Sequence, residues 1–247
     1  MPTPDPFAPP PSPGTSPVTP PPTVDEPNPV AAVSTVTGTG VNELFVNSAL
    51  AQVIDGGAGV DTVAYTGLRA SFSLSRVGNG FVLADNTGAL GTDTLQNIER
   101  MKFSDGGIAL DVGATQSAGQ TQLLLGAVLG RELLATKEAL IGTGIDLFDQ
   151  GYTLQQLSGA VMRLPIWDVL TGKATPTNTD IALYLLTRVN GVAPDTTVLA
   201  NAVAALDVQT DIDHGQGDFL WHLAESSANQ TQVDLVGLAK TGLLFGV

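Results

Sequence analysis

Cysteine is absent from the 247 residues, which excludes disulfides, zinc–thiolate sites and thiol nucleophiles. Bases are scarce. Ten Lys and Arg face twenty-four Asp and Glu, a formal charge of −14, and the first base along the chain is Arg69. Such a chain offers no electrostatic footprint to nucleic acid or to an anionic membrane surface. Long apolar runs are missing as well: the longest, around 123–129 and 181–186, fall well short of the roughly 20 residues of a membrane-spanning helix. No membrane insertion is expected. The first thirty residues also lack the basic and apolar regions of a cleaved export signal, so export would need another address.

What the chain has is distributed in three textures. Thirteen of the sixteen prolines lie between Pro2 and Pro29, including Pro9-Pro10-Pro11 and Pro20-Pro21-Pro22. These lock φ and remove backbone donors, which favours a stiff, extended linker over residues 1–32. Residues 33–113 are rich in Gly, Thr, Asp and Asn, with apolar runs of strand length between turn residues. Phe72-Ser73-Leu74-Ser75-Arg76 alternates, Gly78-Asn79-Gly80 turns, and Phe81-Val82-Leu83 returns, the pattern of a hairpin. Ile98 to Phe103 alternates again, turns through Ser104-Asp105-Gly106-Gly107 and continues along Ile108-Ala109-Leu110.

Residues 114–247 change to Leu, Ala and Val at helical spacing. Thr153-Leu154-Gln155-Gln156 and Thr231-Gln232-Val233-Asp234 read as capping boxes. Pro165 and Pro194 suit helix starts, and Gly142, Gly151, Gly191 and Gly215 suit stops. Five to seven short helices in one bundle are expected, with 122–134 as its buried central helix. The fold class is therefore α+β: a short β-roll and hairpin followed by an all-α bundle.

One string carries a mechanism. Gly56-Gly57-Ala58-Gly59-Val60-Asp61-Thr62-Val63-Ala64 fits the nonapeptide GGxGxDxUx of calcium-binding parallel β-rolls at every position. The glycines allow a tight turn that aims carbonyl oxygens inward, Asp61 adds a carboxylate, and Val63 points into the roll. Calcium takes six to eight oxygens, so a second loop must face the first. The candidate is Gly38-Thr39-Gly40-Val41-Asn42-Glu43, nineteen residues earlier, with Asn42 in the place of Asp61. Gly91-Thr92-Asp93-Thr94-Leu95 is a third copy of the short core, while 47–53 between the first two has neither glycine nor carboxylate. The candidate metal ligands are thus Asp61, Gly57, Gly59, Asn42, Gly40 and Asp93, for one or two weakly held calcium ions.

The nonapeptide with its flanks Ile54-Asp55 and Tyr65-Thr66-Gly67, the hairpin, and the run from Gly91 through Asn97-Ile98-Glu99-Arg100-Met101-Lys102-Phe103 resemble the last turn and cap of RTX, or repeats-in-toxin, proteins over about 37–112. That resemblance implies export through the three-component type I secretion machinery and folding on meeting extracellular calcium. The second half resembles the helical domain of unknown function 4214, which follows such repeats in secreted bacterial and surface-layer proteins. The similar stretches are Leu140 to Gly151, Asn178 to Tyr184, Asn190 to Pro194 and Asn229 to Phe245. Its Gly-Arg-x-Pro-Asp motif is eroded here to Gly130-Arg131-Glu132-Leu133-Leu134, and no activity accompanies that family.

Enzyme signatures are thin. His214 and His222 are the only histidines, and a spacing of eight with Gly215 and Gly217 between them does not put both on one helical face. The string Asp211-Ile212-Asp213-His214-Gly215-Gln216-Gly217-Asp218 lacks the bidentate Glu of a calcium loop, since His222 stands there. No phosphate loop, dinucleotide fingerprint or nucleophile elbow is present. Trp167, Trp221, Tyr152 and Tyr184 fall in helical sequence, where aromatics fill cores more often than they stack on sugars.

The expectation is a secreted, non-enzymatic module of the bacterial surface or exterior, whose partners are other extracellular surface proteins or further copies in a surface layer, filament or adhesin. Two alternatives stand beside it: the export and stability cassette of a secreted hydrolase, and a glycan-binding module.

Overall fold

The computed structural model describes residues 33–48, 51–208 and 215–246; the Pro-rich linker, His214 and residues 211–213 beside it lie outside them. Described strands and helices follow one another in the expected order, and the fold is α+β.

The strands β1 (Ser34–Thr37), β2 (Leu44–Val46), β3 (Gln52–Asp55), β4 (Thr62–Ala64), β7 (Thr92–Gln96) and β8 (Arg100–Phe103) wind as three rungs of a roll. β1, β3 and β7 run parallel in one sheet, and β2, β4 and β8 run parallel in the other. Side chains alternate on a strand, so each rung sends one central apolar residue per sheet inward: Val36, Ile54 and Leu95 stack in one column, Phe45, Val63 and Met101 in the other. Ile54, Val63, Leu95 and Met101 are essentially inaccessible.

An antiparallel hairpin ends each sheet at the third rung. β5 (Phe72–Val77) and β6 (Gly80–Asp85) close on β7, turning at Gly78, whose φ of +60° is the left-handed conformation glycine supplies. β9 (Gly106–Ala109) closes on β8. The strand expected from Ile98 begins only at Arg100, because Asn97 takes φ +49° and bends the chain.

Ten helices are described, more than expected: α1 (Ser117–Leu129), α2 (Arg131–Leu134), α3 (Glu138–Asp149), α4 (Leu154–Met162), α5 (Trp167–Thr171), α6 (Asn178–Asn190), α7 (Thr196–Asp207), α8 (Gln216–Glu225), α9 (Ser227–Gln232) and α10 (Leu235–Thr241). The buried helix expected over 122–134 is broken at Gly130, which has φ +75° and lies against the Arg188 side chain. Its first part, α1, is the buried one, with Leu123, Leu124, Ala127 and Val128 all inside. Thr153 forms the expected capping box with Gln156. The second expected box does not form: Thr231 bonds back to Ser227 O within α9, and Asp234 caps α10 instead.

Gly151 and Gly191 end helices as expected, whereas Gly215 starts α8. Pro165 and Pro194 precede their helices rather than entering the first turn. Gly142 is no stop but lies inside α3, where a β-carbon would sit 2.3 Å from Gly246 O.

That contact lies just beyond an unexpected element. β10 (Leu243–Phe245), at the far end of the helical half, pairs antiparallel with β9 and completes a five-stranded sheet. The texture changes at 113/114, yet residues 33–247 form one compact unit. Ala109 and Val112 share an apolar cluster with Ala118, Leu134, Ile141, Ile145, Leu243 and Phe245. Beside it, Arg100 is buried between Asp111, on which its Nη1 donates, and Asp149, whose two oxygens lie 3.2 Å from Nη2. Burial pushes the Asp111 carboxyl up to about 6 even though Arg100 pulls it down.

Candidate metal centre

Strand pairing sets which loops face each other. Ser34 pairs with Gln52 and Leu44 with Thr62, so the rung repeat is eighteen residues rather than nineteen. Register therefore places Glu43, not Asn42, beside Asp61. Asn42 acts elsewhere in the stack, where its Oδ1 accepts the Val60 N–H at 2.9 Å and ties loop 38–43 to loop 56–61. Ala58 N–H donates to Thr39 O at 3.1 Å between the same two loops. Gly57 and Gly59 have φ +89° and +127° and lie against the backbone of Thr39 and Val41, so both carry the loop's shape. Gly40 is exposed and faces open space.

The third rung reaches the same edge through a shortened loop, and Glu99 takes the corresponding place before β8. Three acids thus form a ladder. Asp61 Oδ1 accepts the Glu43 N–H at 2.8 Å, and Glu99 Oε2 accepts the Asp61 N–H at 2.8 Å. Each of these two acids satisfies a backbone donor of the rung before it. Glu43, on the first rung, turns its carboxylate to the Thr39 N–H and hydroxyl, and these bonds hold its pKa below the usual value.

Asp61 differs from the other two. It is fully buried, and its Oδ2 has no hydrogen-bond partner among the described residues. A buried, unpaired carboxylate oxygen is costly, and burial raises the pKa of Asp61, with Glu43 adding like-charge repulsion. Glu99 is raised by burial too, with Asp61 repelling it. Gly56 lies against Oδ2, and oxygens crowd the glycines of the stacked loops. A β-carbon at Gly56 would lie 2.6 Å from Oδ2 and 2.2 Å from Asn97 O; one at Gly38 would lie 2.2 Å from Gly56 O and 2.5 Å from Glu43 Oε2. Glycine at 38 and 56 is what allows these carbonyls and carboxylates to approach.

Asp93 does not join this cluster. It stands at the start of β7, the end of the parallel strands remote from loop 56–61. Its Oδ1 accepts the Gln52 N–H at 2.9 Å, and its Oδ2 accepts from Tyr65 Oη at 3.0 Å and Asn47 Nδ2 at 2.5 Å. Three donors converge there, and they already answer both oxygens of the carboxylate. Burial nevertheless raises Asp93, and raises Tyr65 beside it.

The structure therefore brings Asp61, Gly57, Gly59, Asn42 and Gly40 onto two stacked loops and leaves Asp93 apart. It adds Glu43 and Glu99, which motif reading missed. The signal for both was an acid two residues before an inward apolar side chain: Glu43 before Phe45 and Glu99 before Met101, like Asp61 before Val63. Among the described residues no three Asp, Glu or His side chains converge as a ready-made metal site, so any cation here would draw heavily on backbone carbonyls.

Elsewhere the aromatics are largely structural. Trp167 is buried and donates its Nε1–H to Met162 O at 3.0 Å, Tyr184 Oη donates to Val128 O at 2.8 Å, and Trp221 packs against the helical core. Tyr152 is exposed, and His222 lies exposed with its ring on Trp221, centroids 4.6 Å apart. No protein-family model matches the chain, and no curated protein matches it.

Proposed function

We propose that this chain is a secreted, non-enzymatic module of the bacterial surface or exterior, in which one calcium ion held between loops 38–43 and 56–61 fixes the short roll that carries a helical interaction region. The observation that carries the proposal is Asp61 Oδ2, a buried carboxylate oxygen with no protein donor among the described residues. Hard oxygen ligands on two glycine-lined loops suit a hard divalent cation. Asp61 Oδ2, the Glu43 carboxylate and the Gly56 carbonyl are the ligands assigned, and Glu99 positions Asp61 through its backbone N–H. The ion would supply positive charge to a stack of like-charged, partly desolvated acids.

Calcium would then couple to folding, because the ligands meet only when the rungs are stacked. Export in the unfolded state through type I secretion machinery accords with this coupling and with an acidic, cysteine-free chain. The test is calorimetric titration of the full chain with CaCl₂. About one ion should bind with Kd of about 0.1–1 mM, the range of extracellular modules, and Asp61→Asn should abolish the heat. Absence of binding by the unaltered chain at millimolar calcium contradicts the proposal.

A further inference from the structure

The two ends of the roll are finished differently. At the third rung, β5 and β6 extend one sheet and α10 packs on β5, where Arg76 Nη1 donates to Ala239 O at 2.6 Å. In the other sheet β9 and β10 follow, and Gly246 N–H donates to Glu138 O of α3 at 2.7 Å. At the first rung, β1 and β2 are both edge strands, and no described strand pairs beyond them.

That end is open in its core as well as its backbone. The inward residues Val36 and Phe45 are only half-buried, while their column neighbours Ile54 and Val63 are inaccessible. Val41, Leu44 and Val46 are exposed at 64%, 65% and 68%. Ser34 N–H donates to Ala51 O just before β3 and Gly38 N–H to Asp55 O of β3, so alternation aims the Thr35 and Thr37 amides off the edge. Asn47 N–H bonds to β4, which likewise aims the Leu44 and Val46 amides outward. Neither strand carries a Lys, a Pro or any charge, the usual devices that protect an edge.

The chain just before β1 is poorly suited to supply another rung. The eighteen-residue period would put its strands at 16–19 and 26–28, which contain Pro17 and Pro27, and Pro20-Pro21-Pro22 would stand where the next loop needs Gly38 or Gly56. Proline cannot donate to a ladder, and three in a row cannot turn as those glycines do. Charge selects the occupant further. Residues 33–48 contain one charged side chain, Glu43, and it is folded back on Thr39. In a chain of net charge −14, this is a surface where two copies can meet with little repulsion.

We infer that the open first rung is the interface for a second copy of this chain, joined head to head across a two-fold axis, with β1 and β2 pairing antiparallel with the same strands of the other copy. Such an interface is self-complementary and closed, since the far ends of both rolls are covered. It goes beyond the proposed function, and the edge does not depend on the metal.

Sedimentation of the full chain through the micromolar range, in calcium and in chelator, tests the inference. The unaltered chain should reach twice its 25.3 kDa mass. Leu44→Lys with Val46→Lys, both on exposed side chains, should leave it monomeric with an unchanged circular dichroism spectrum. Thr35→Pro with Val46→Pro, which removes only outward amides, should do the same. A monomeric unaltered chain overturns the inference, as does a dimer that survives both folded double variants. Slow hydrogen exchange at β1 and β2 in a monomer would assign the edge to another segment and overturn it too. Loss of calcium binding with the dimer intact would strike the metal proposal alone.

Discussion

The roll and the helical region solve the same problem by opposite means. In the roll, strands of three to six residues bury one thin double column of side chains, and the turns hold buried acids whose oxygens answer backbone N–H groups of the rung before. In the helical region, seventeen buried residues among those described, from α1 and α3 to α8, form one continuous apolar cluster. Its polar interior is sparse: Asn229, for example, spans α1 and α8 by donating its Nδ2 hydrogens to Leu123 O and Ala224 O, both at 2.8 Å. A stack of rungs is stabilised neighbour by neighbour and can be tuned at its edge. A cluster is stabilised all at once by area removed from water. The difference is why the proposed cation site falls in the roll, where turn oxygens meet, and not among the helices.

The two regions are most exposed to disruption at their joint. Arg100→Met leaves Asp111 and Asp149 without their cation and should destabilise the chain by about 3–5 kcal/mol, the usual cost of removing one partner of a buried pair. Calorimetry should still show one transition, because both halves share the cluster around Ala109 and Phe245; two separated transitions would mean that the halves fold independently. A smaller loss, about 1–3 kcal/mol, is expected for Gly142→Ala, whose added methyl strikes Gly246 O and pushes β10 away from α3. Hydrogen exchange should then accelerate most at β9 and β10.

Acidity separates roll from helices as well, by about 1–3 kcal/mol, most of it from Asp111 at the joint. Asp61, Asp93, Glu99 and Asp111 have pKa values raised by burial, and all lie in the roll or at the joint. Each takes up its proton in the folded chain at a pH where the unfolded chain is still ionised. Metal-free stability should therefore rise as pH falls from 7 towards 5, then stop gaining once the unfolded carboxyls also protonate near pH 4. Protons and calcium would compete for Asp61, so the stabilisation by calcium should shrink over the same interval. Chemical unfolding at each pH, with and without calcium, measures both trends.

Local features of the fold were legible because local chemistry writes them. The nonapeptide announces loop 56–61, Gly78-Asn79 announces its hairpin, and Thr153 with Gln156 announces α4. The register was not, since a match of Asn42 to Asp61 looks as good as the true match of Glu43 when only residue types are compared; strand pairing decides it. Glu99 was hidden by a shortened loop, and Asp93 was misplaced because a short motif does not say which end of a strand it occupies. β10 was beyond reach because its partner is more than a hundred residues away and its space is made by a glycine, Gly142, that reads as a helix stop.

Whether the unpaired oxygen of Asp61 is a seat for calcium is read most plainly by thermal melting of the full chain in calcium and in excess chelator. A calcium seat predicts a higher midpoint in calcium for the unaltered chain. For Asp61→Asn it predicts one midpoint in both buffers, at or above that of the unaltered chain in chelator, because the buried charge is gone while Oδ1 still accepts from Glu43. Identical melting of the unaltered chain with and without calcium would contradict it.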